Sequence, residues 1–417
     1  MQRVFSAAIL CTLASLILFS CARTADKPPP DVGSQSPSSQ KALPALAQEE
    51  LAARYEPPHP LTPEETVNAY IEQQYRSYAA LSYTDLSAIA DVSQRGIKNA
   101  EVWLQTLILR RRLIAEQNYC YVATEQLPYT VTIEEKPEDD RLGRWQTGSS
   151  NRFGTNDSAV FLHLRVTGQE GGCYPPMLAV NAQHTFVLVQ INSVWKIVFH
   201  YYPGSIRRFE MGQRLSLPNE QQMRDALAKE FSAGANTDPP TPPSKAAVYN
   251  GVRAAAYAKT HIVTKNPGFY DIGDWMGNCQ NFISQCVWSG FSGGQPASIT
   301  AYDNMTGSWF AGGGGGSPAW ENVGHFWGYV TRERSHTSKG LHGSVLTGAA
   351  QLTEGDIVQL CSQQPEEGED EEYHHSLVVV DSDTLMLAQN SPDCFVYYSD
   401  LVNTNTRYFR PAYLIED

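Results

Sequence analysis

The chain has 417 residues, 42% of them hydrophobic and 18% charged, which is length for two or three domains and apolar content for packed cores. Its formal net charge is −13, which argues against nucleic-acid binding, since that requires a basic face to displace counterions. Of the 8 cysteines, none stands in a CxxC or Cys/His zinc spacing, so no metal is expected.

The N-terminus opens with Arg3 and then runs apolar from Val4 to Phe19, the form of a secretory signal and short for a spanning helix. Leu18-Phe19-Ser20-Cys21 resembles the lipobox of bacterial lipoproteins, which implies lipidation at Cys21. Residues 1–21 are therefore expected to be a lipoprotein-type signal, with an ordinary signal peptide or an uncleaved anchor as alternatives. Each places the remainder outside the cytoplasm, lipid-anchored at the membrane or secreted. In such a compartment disulfides can form, and Cys120–Cys173 and Cys361–Cys394 are candidate pairs. Residues 22–60, rich in Pro, Ser, Gln and Ala, lack the apolar surface to fold and read as a disordered tether.

Residues 61–235 read as a smaller α+β accessory domain. Thr62-Pro63-Glu64-Glu65 is a helix start, with Thr62 as N-cap, Pro63 first in the helix and Glu65 closing a capping box. A second helix is expected over Glu101 to Gln117. Strands follow at Tyr119 to Val122, Tyr129 to Glu134 and Ala159 to Val166, then a hairpin over His184 to Tyr202 turning at Asn192-Ser193. The order, helices before a meander, resembles the SnoaL-like cone. His184 and His200 read as strand-surface or core residues, and a binding or spacing role is expected for the domain. Asn219 to Ser232 is an expected helix. A Pro-rich linker covers 236–245.

From 246 to 417 the composition shifts toward Gly, Trp, Tyr and His. Ala246 to His261 reads as a helix. In the next one Cys279, Phe282, Ile283 and Cys286 recur at helical spacing. Gly277 and Asn278 precede it, which puts Cys279 in the first turn. There the helix dipole and free N–H groups favour a thiolate and can hold an oxyanion. Asn278 and Gln280 are oxyanion-donor candidates beside their cap or surface roles. Cys286, two turns deeper, reads as inert core.

A cysteine nucleophile needs a base. His374 and His375 precede the apolar strand Ser376 to Val380, and Thr384 to Gln389 returns from a turn at Asp381 to Asp383. A two-residue loop sets Asn390 opposite His375, and a three-residue loop sets Gln389 there instead. Either amide oxygen would orient the imidazole and leave its other nitrogen for the thiol, the logic of a Cys-His-Asn triad. The expected triad is Cys279, His375 and Asn390. Glu366 to Glu372 reads as a solvated loop that could attract a cationic group. Gly312 to Gly316, between Trp309 and Trp320, reads as a loop that either flanks a cleft or simply connects elements.

The segments GNCQNFISQC, Gly355 to Gln359, His375-Ser376-Leu377 and Gln389 to Asp393 occur in that order with Tyr249, Ala254 to Ala258 and Asn266-Pro267. Together they resemble the putative amidase domain family of bacterial surface proteins, which looks like a branch of the papain-like cell-wall hydrolases, with NlpC-type and CHAP-type relatives. The resemblance implies a papain-like α+β cysteine hydrolase domain, with Cys279 as nucleophile and His375 as base. This chain departs from the family pattern at Asn278, where Asp is usual, and at Asn390-Ser391, where His-Thr is frequent. The expected function is a surface-anchored cysteine hydrolase that cleaves amide bonds in peptidoglycan or other peptides, without cofactor and as a monomer. An acyl transferase or transpeptidase with the same triad and a non-catalytic binding module are the alternatives.

Overall fold

The computed structural model describes residues 53–135, 159–211, 214–234, 241–273, 277–292, 305–312, 315–361, 372–390, 392–402 and 405–416. The signal and Cys21, most of the tether and all of the Glu366 to Glu372 acidic loop except Glu372 lie outside these residues. Among the described residues no helix is long and apolar enough to cross a membrane.

The first region pairs two helices with a sheet. A two-residue strand β1 (Ala53–Arg54) pairs in parallel with β2 (Thr84–Asp85). Between them α1 (Pro63–Ala80) starts as its sequence dictates: Thr62 accepts from the Glu65 N–H, and the Glu65 carboxylate accepts from the Thr62 N–H at 2.8 Å. Helix α2 (Arg95–Glu116) begins six residues before the apolar periodicity suggests, because Gly96 and Ile97 pack inward as well. The antiparallel sheet runs β3 (Tyr129–Glu134), β4 (Val160–Gly168), β5 (Ala182–Ile191), β6 (Val194–Tyr201). Asn192 and Ser193 both take positive φ, 52° and 66°, the backbone of a two-residue hairpin turn that matches strand twist. Tyr119 to Val122 is not a strand; its backbone caps the end of α2 and bonds the Asp383 carbonyl instead. His184 and His200 stack in the core, 2.9 Å apart between ring nitrogens.

Helix α3 (Glu220–Glu230), capped by Asn219, leads to the second region. There Ala247–Val248 forms β7 rather than helix, because it pairs with the last strand, and α4 (Gly251–His261) starts after the Asn250 cap. Helix α5 (Cys279–Ser292), the one-turn α6 (Pro318–Glu321) and α7 (Val323–Thr331) precede the remaining strands. These are β8 (Gly340–Leu346), β9 (Ile357–Cys361), β10 (His375–Asp381), β11 (Met386–Gln389), β12 (Cys394–Tyr397) and β13 (Asn405–Ile415). They form a 7-stranded antiparallel sheet in the order β12-β11-β10-β9-β13-β7, with β8 on the far side of β13. The chain is α+β.

Both faces of that sheet are covered, because alternate residues of β10 point to opposite sides. Val378 and Val380 pack with Phe282, Ile283, Cys286 and Val287 of α5. Burial of a side chain the size of Phe, Ile or Val stabilises the fold by about 1.5–3 kcal/mol each. Leu377 and Val379 pack with Leu113 and Ile114 of α2 and Leu227 of α3. The first region thus supplies the second face of the sheet that carries His375. A buried charge cluster joins them further: Arg111 meets Asp400 at 2.5 Å, and Tyr78 donates to the same carboxylate at 2.7 Å. Trp309 and Trp320 are fully buried with ring centroids 4.8 Å apart, so they are core residues and not the walls of a cleft.

Neither candidate disulfide is formed: Cys120, Cys173, Cys361 and Cys394 are not bridged. Cys361 ends β9 and Cys394 begins β12, with β10 and β11 between, a separation of about 14 Å at ordinary strand spacing where a disulfide needs Cα atoms within about 7 Å.

Candidate active site

The Asn278 carbonyl accepts the first helical bond of α5, from the Phe282 N–H at 3.0 Å. Cys279 is therefore the first residue of the helix, where the N–H groups have no helical partner. Its side chain is 8% exposed. The thiol makes a hydrogen bond with His375, and the N–H groups of Ser376 and Gln280 also point at the sulfur. The His374 carbonyl oxygen lies 3.9 Å from Sγ.

Burial by itself would raise the thiol pKa. The His375 hydrogen bond and charge, with the two N–H groups, outweigh it and hold the Cys279 thiol below its ordinary value. For His375 burial opposes the charged form, and the bond and charge of Cys279, with its own bond to the Gln389 amide oxygen, raise the imidazole above its ordinary value. Both shifts favour the same state, thiolate beside imidazolium. Cys286, wholly buried and without such partners, has its thiol pushed well up by burial.

The third member differs from the expected one. His375 Nε2 lies 2.8 Å from Gln389 Oε1, so Nε2–H donates to the amide and Nδ1 is left for the thiol. Asn390 is not on His375. The reason is register. The β10–β11 turn is longer than the two or three residues expected: Asp381 pairs Met386, a bulge follows, and Val379 pairs Leu387. One further step sets Gln389 across from Leu377, on the face that His375 shares. Asn390, next in the pleat, points to the α5 side. There its Oδ1 accepts from Asn278 Nδ2 at 2.8 Å. Gln389 is fixed from its other end, with Nε2 donating to Cys394 Sγ at 3.2 Å.

The two oxyanion candidates are engaged elsewhere through their side chains. Gln280 is fully buried, donates to Ser284 Oγ at 3.2 Å and accepts from Ser376 Oγ at 2.7 Å. Gln359 joins this cluster by donating to Ser376 Oγ at 3.2 Å and accepting from Arg407 Nε at 2.8 Å. These bonds tie the start of α5 to β9 and β10 and set the Cys279–His375 approach. Gln359 lies in a segment that the sequence singles out, but its bracing role and that of Arg407 escape sequence reading, since polar residues on a buried strand face give no periodic signal. Asn278 is held by Asn390 and Asn281. What remains for an oxyanion is backbone N–H at the helix start.

His374 is exposed, and its ring faces the Glu372 carbonyl at 3.4 Å, so it is not the base. Among the described residues no three His, Cys, Asp or Glu side chains gather to hold a metal ion. A larger cavity of about 610 Å³, lined by residues including Phe310, His325 and Arg332, contains none of the Cys279 set.

An α+β sheet with a thiol–imidazole pair at a helix start is thus the framework of the second region. Residues 248–411 match the family model described as "Putative amidase domain". No curated protein and no solved structure matches the chain.

Proposed function

We propose that the protein is a surface-anchored cysteine hydrolase that cleaves amide bonds, with peptidoglycan peptides as substrate, on a papain-like domain. The observation that carries this reading is the Cys279–His375 pair, with His375 oriented by Gln389 at 2.8 Å. The match of residues 248–411 to the putative amidase domain model supports the class of bond. The apolar N-terminal run ending at Cys21 supports an extracytoplasmic substrate.

Cys279 Sγ attacks the amide carbonyl carbon, and the C=O pair moves to oxygen. Backbone N–H groups at the start of α5 stabilise that oxyanion. Collapse of the intermediate breaks the C–N bond, and His375 Nδ1–H protonates the departing amine. A water then gives its proton to His375 and attacks the thioester. Collapse of that second intermediate releases the carboxylic acid and restores the Cys279 thiolate beside the His375 imidazolium. Gln389 holds the ring through both proton transfers.

The test is incubation of the mature chain with purified cell-wall fragments, read by mass spectrometry. Hydrolysis adds one water across one amide bond, and Cys279→Ala lowers the rate on the order of 10³-fold or more. Products that join an added amine would assign the pair to acyl transfer instead. Intact fragments, with Cys279 slow to alkylate, would refute catalysis.

A further inference from the structure

Beside the proposed nucleophile lies a chain of amide side chains whose polarity is fixed from one end. The Trp320 indole can only donate, and its Nε1–H meets Asn281 Oδ1 at 2.8 Å. Asn281 must then present Nδ2 onward, and it donates to Asn278 Oδ1 at 2.7 Å. Asn278 Oδ1 is also the acceptor for the Ile272 N–H at 3.3 Å. So Asn278 presents Nδ2 to Asn390 Oδ1, at 2.8 Å. The last group, Asn390 Nδ2, has no partner, in a side chain that is 0% exposed. Flipping Asn390 alone would face two N–H groups at 2.8 Å, and flipping the whole chain would set an amide N–H2 against the indole N–H.

Asn390 forms part of the lining of a cavity of about 10 Å³, with Asn278, Phe282, Lys265, Asp271 and Tyr270 among its other residues. That is room for about one oxygen atom. Its rim is open to solvent: Tyr270 is 46% exposed, and the Lys265–Asp271 pair, at 2.9 Å, has side chains 34% and 44% exposed. A buried N–H2 without an acceptor is costly unless something occupies that space.

We propose that this cavity is a substrate subsite that takes one accepting oxygen, a backbone carbonyl of the peptide bound across Cys279, on Asn390 Nδ2. A water fills it in the free protein. The proposal rests on the amide-hydrolase reading above and names one of its recognition contacts. It also gives a role to Asn278. An aspartate there would have acceptors only, so Asn390 would turn its N–H2 to residue 278 and its carbonyl oxygen to the cavity. The subsite would change from donor to acceptor.

The experiment uses the full chain with selective ¹⁵N-asparagine labelling. The side-chain N–H2 signal of Asn390 is identified by its loss in Asn390→Leu and followed while N-acetyl-alanine amide is added. The signal is expected to shift saturably in the wild type and to stay fixed in Asn278→Asp. In parallel, Asn278→Asp and Asn390→Leu are expected to raise KM for cell-wall peptide about five- to tenfold, with smaller changes in kcat and in Cys279 alkylation. A signal that stays fixed up to the solubility limit of the probe, or a KM unchanged in a folded Asn278→Asp protein, would leave only a structural water and overturn the proposal. A shifting signal without any hydrolysis would instead overturn the amide-hydrolase reading and keep the site.

Discussion

Gln389 Oε1 sits 2.8 Å from His375 Nε2, while the neighbouring Asn390 is bonded to Asn278. Two adjacent amides therefore have separate roles. Gln389→Ala removes a bond to a group that becomes charged, worth about 1.5–3 kcal/mol, so kcat/KM is expected to fall roughly ten- to a hundredfold. Asn390→Ala should instead act mainly on KM. Steady-state kinetics of the two variants, side by side, check this assignment; equal kcat losses would contradict it.

The Cys279–His375 pair fixes a pH profile. The thiolate forms as pH rises through the lowered Cys279 pKa, and the imidazolium is lost as pH rises through the raised His375 pKa. Activity is expected to be bell-shaped between those two limits. Iodoacetamide labelling, which needs only the thiolate, should begin at lower pH than for an ordinary cysteine. In His375→Ala, burial is left opposed only by the two N–H groups, so the labelling curve moves to higher pH. A curve that does not move would mean that the imidazole does not stabilise the thiolate. Cys286, with its thiol pushed up by burial, should stay unlabelled in the folded protein.

The buried Arg111–Asp400 pair joins α2 to the turn that follows β12. Breaking a buried pair leaves an uncompensated charge, at a cost of about 3–5 kcal/mol. Arg111→Ala is expected to lower stability by that order and to weaken hydrolysis, although Arg111 is remote from Cys279 in sequence. Denaturant unfolding measures it. An Arg111→Ala protein as stable as the wild type would show that the two regions are energetically independent.

Glu101 supplies a stability signature in the first region. It is 3% exposed, and burial pushes its carboxyl up to about 7, opposed by Lys98 and helped by Asp85. In the unfolded chain a glutamate titrates near about 4.3. Between these values the folded state binds more protons, so stability falls as pH rises through this window and levels off above about 7. Glu101→Gln removes that penalty. Relative to the wild type, the variant is expected to gain on the order of 2–3 kcal/mol between pH 4 and pH 8, read from unfolding curves at both values. A difference independent of pH would contradict a buried, titrating carboxyl.

Local chemistry made part of this protein legible from its sequence. The Thr62 capping box, the Asn192-Ser193 turn and the placement of Cys279 at a helix start each depend on a few adjacent residues, and each stands in the fold as the sequence implies. So does the contrast between Cys279 and Cys286, which follows from helical spacing. The choice between Gln389 and Asn390 was beyond sequence reading, because one bulge in a distant turn resets the register and the pleat sends neighbours to opposite faces. The polarity of Asn390 depends on an indole N–H brought in from Trp320 through two other amides. The covering of the His375 sheet by α2 and α3 depends on apolar contacts between regions that the sequence separates with a Pro-rich linker. Helix starts and turns are set by contacts a few residues apart, which a sequence displays directly. Register, amide orientation and shared cores are set by groups that meet only when the chain has closed on itself.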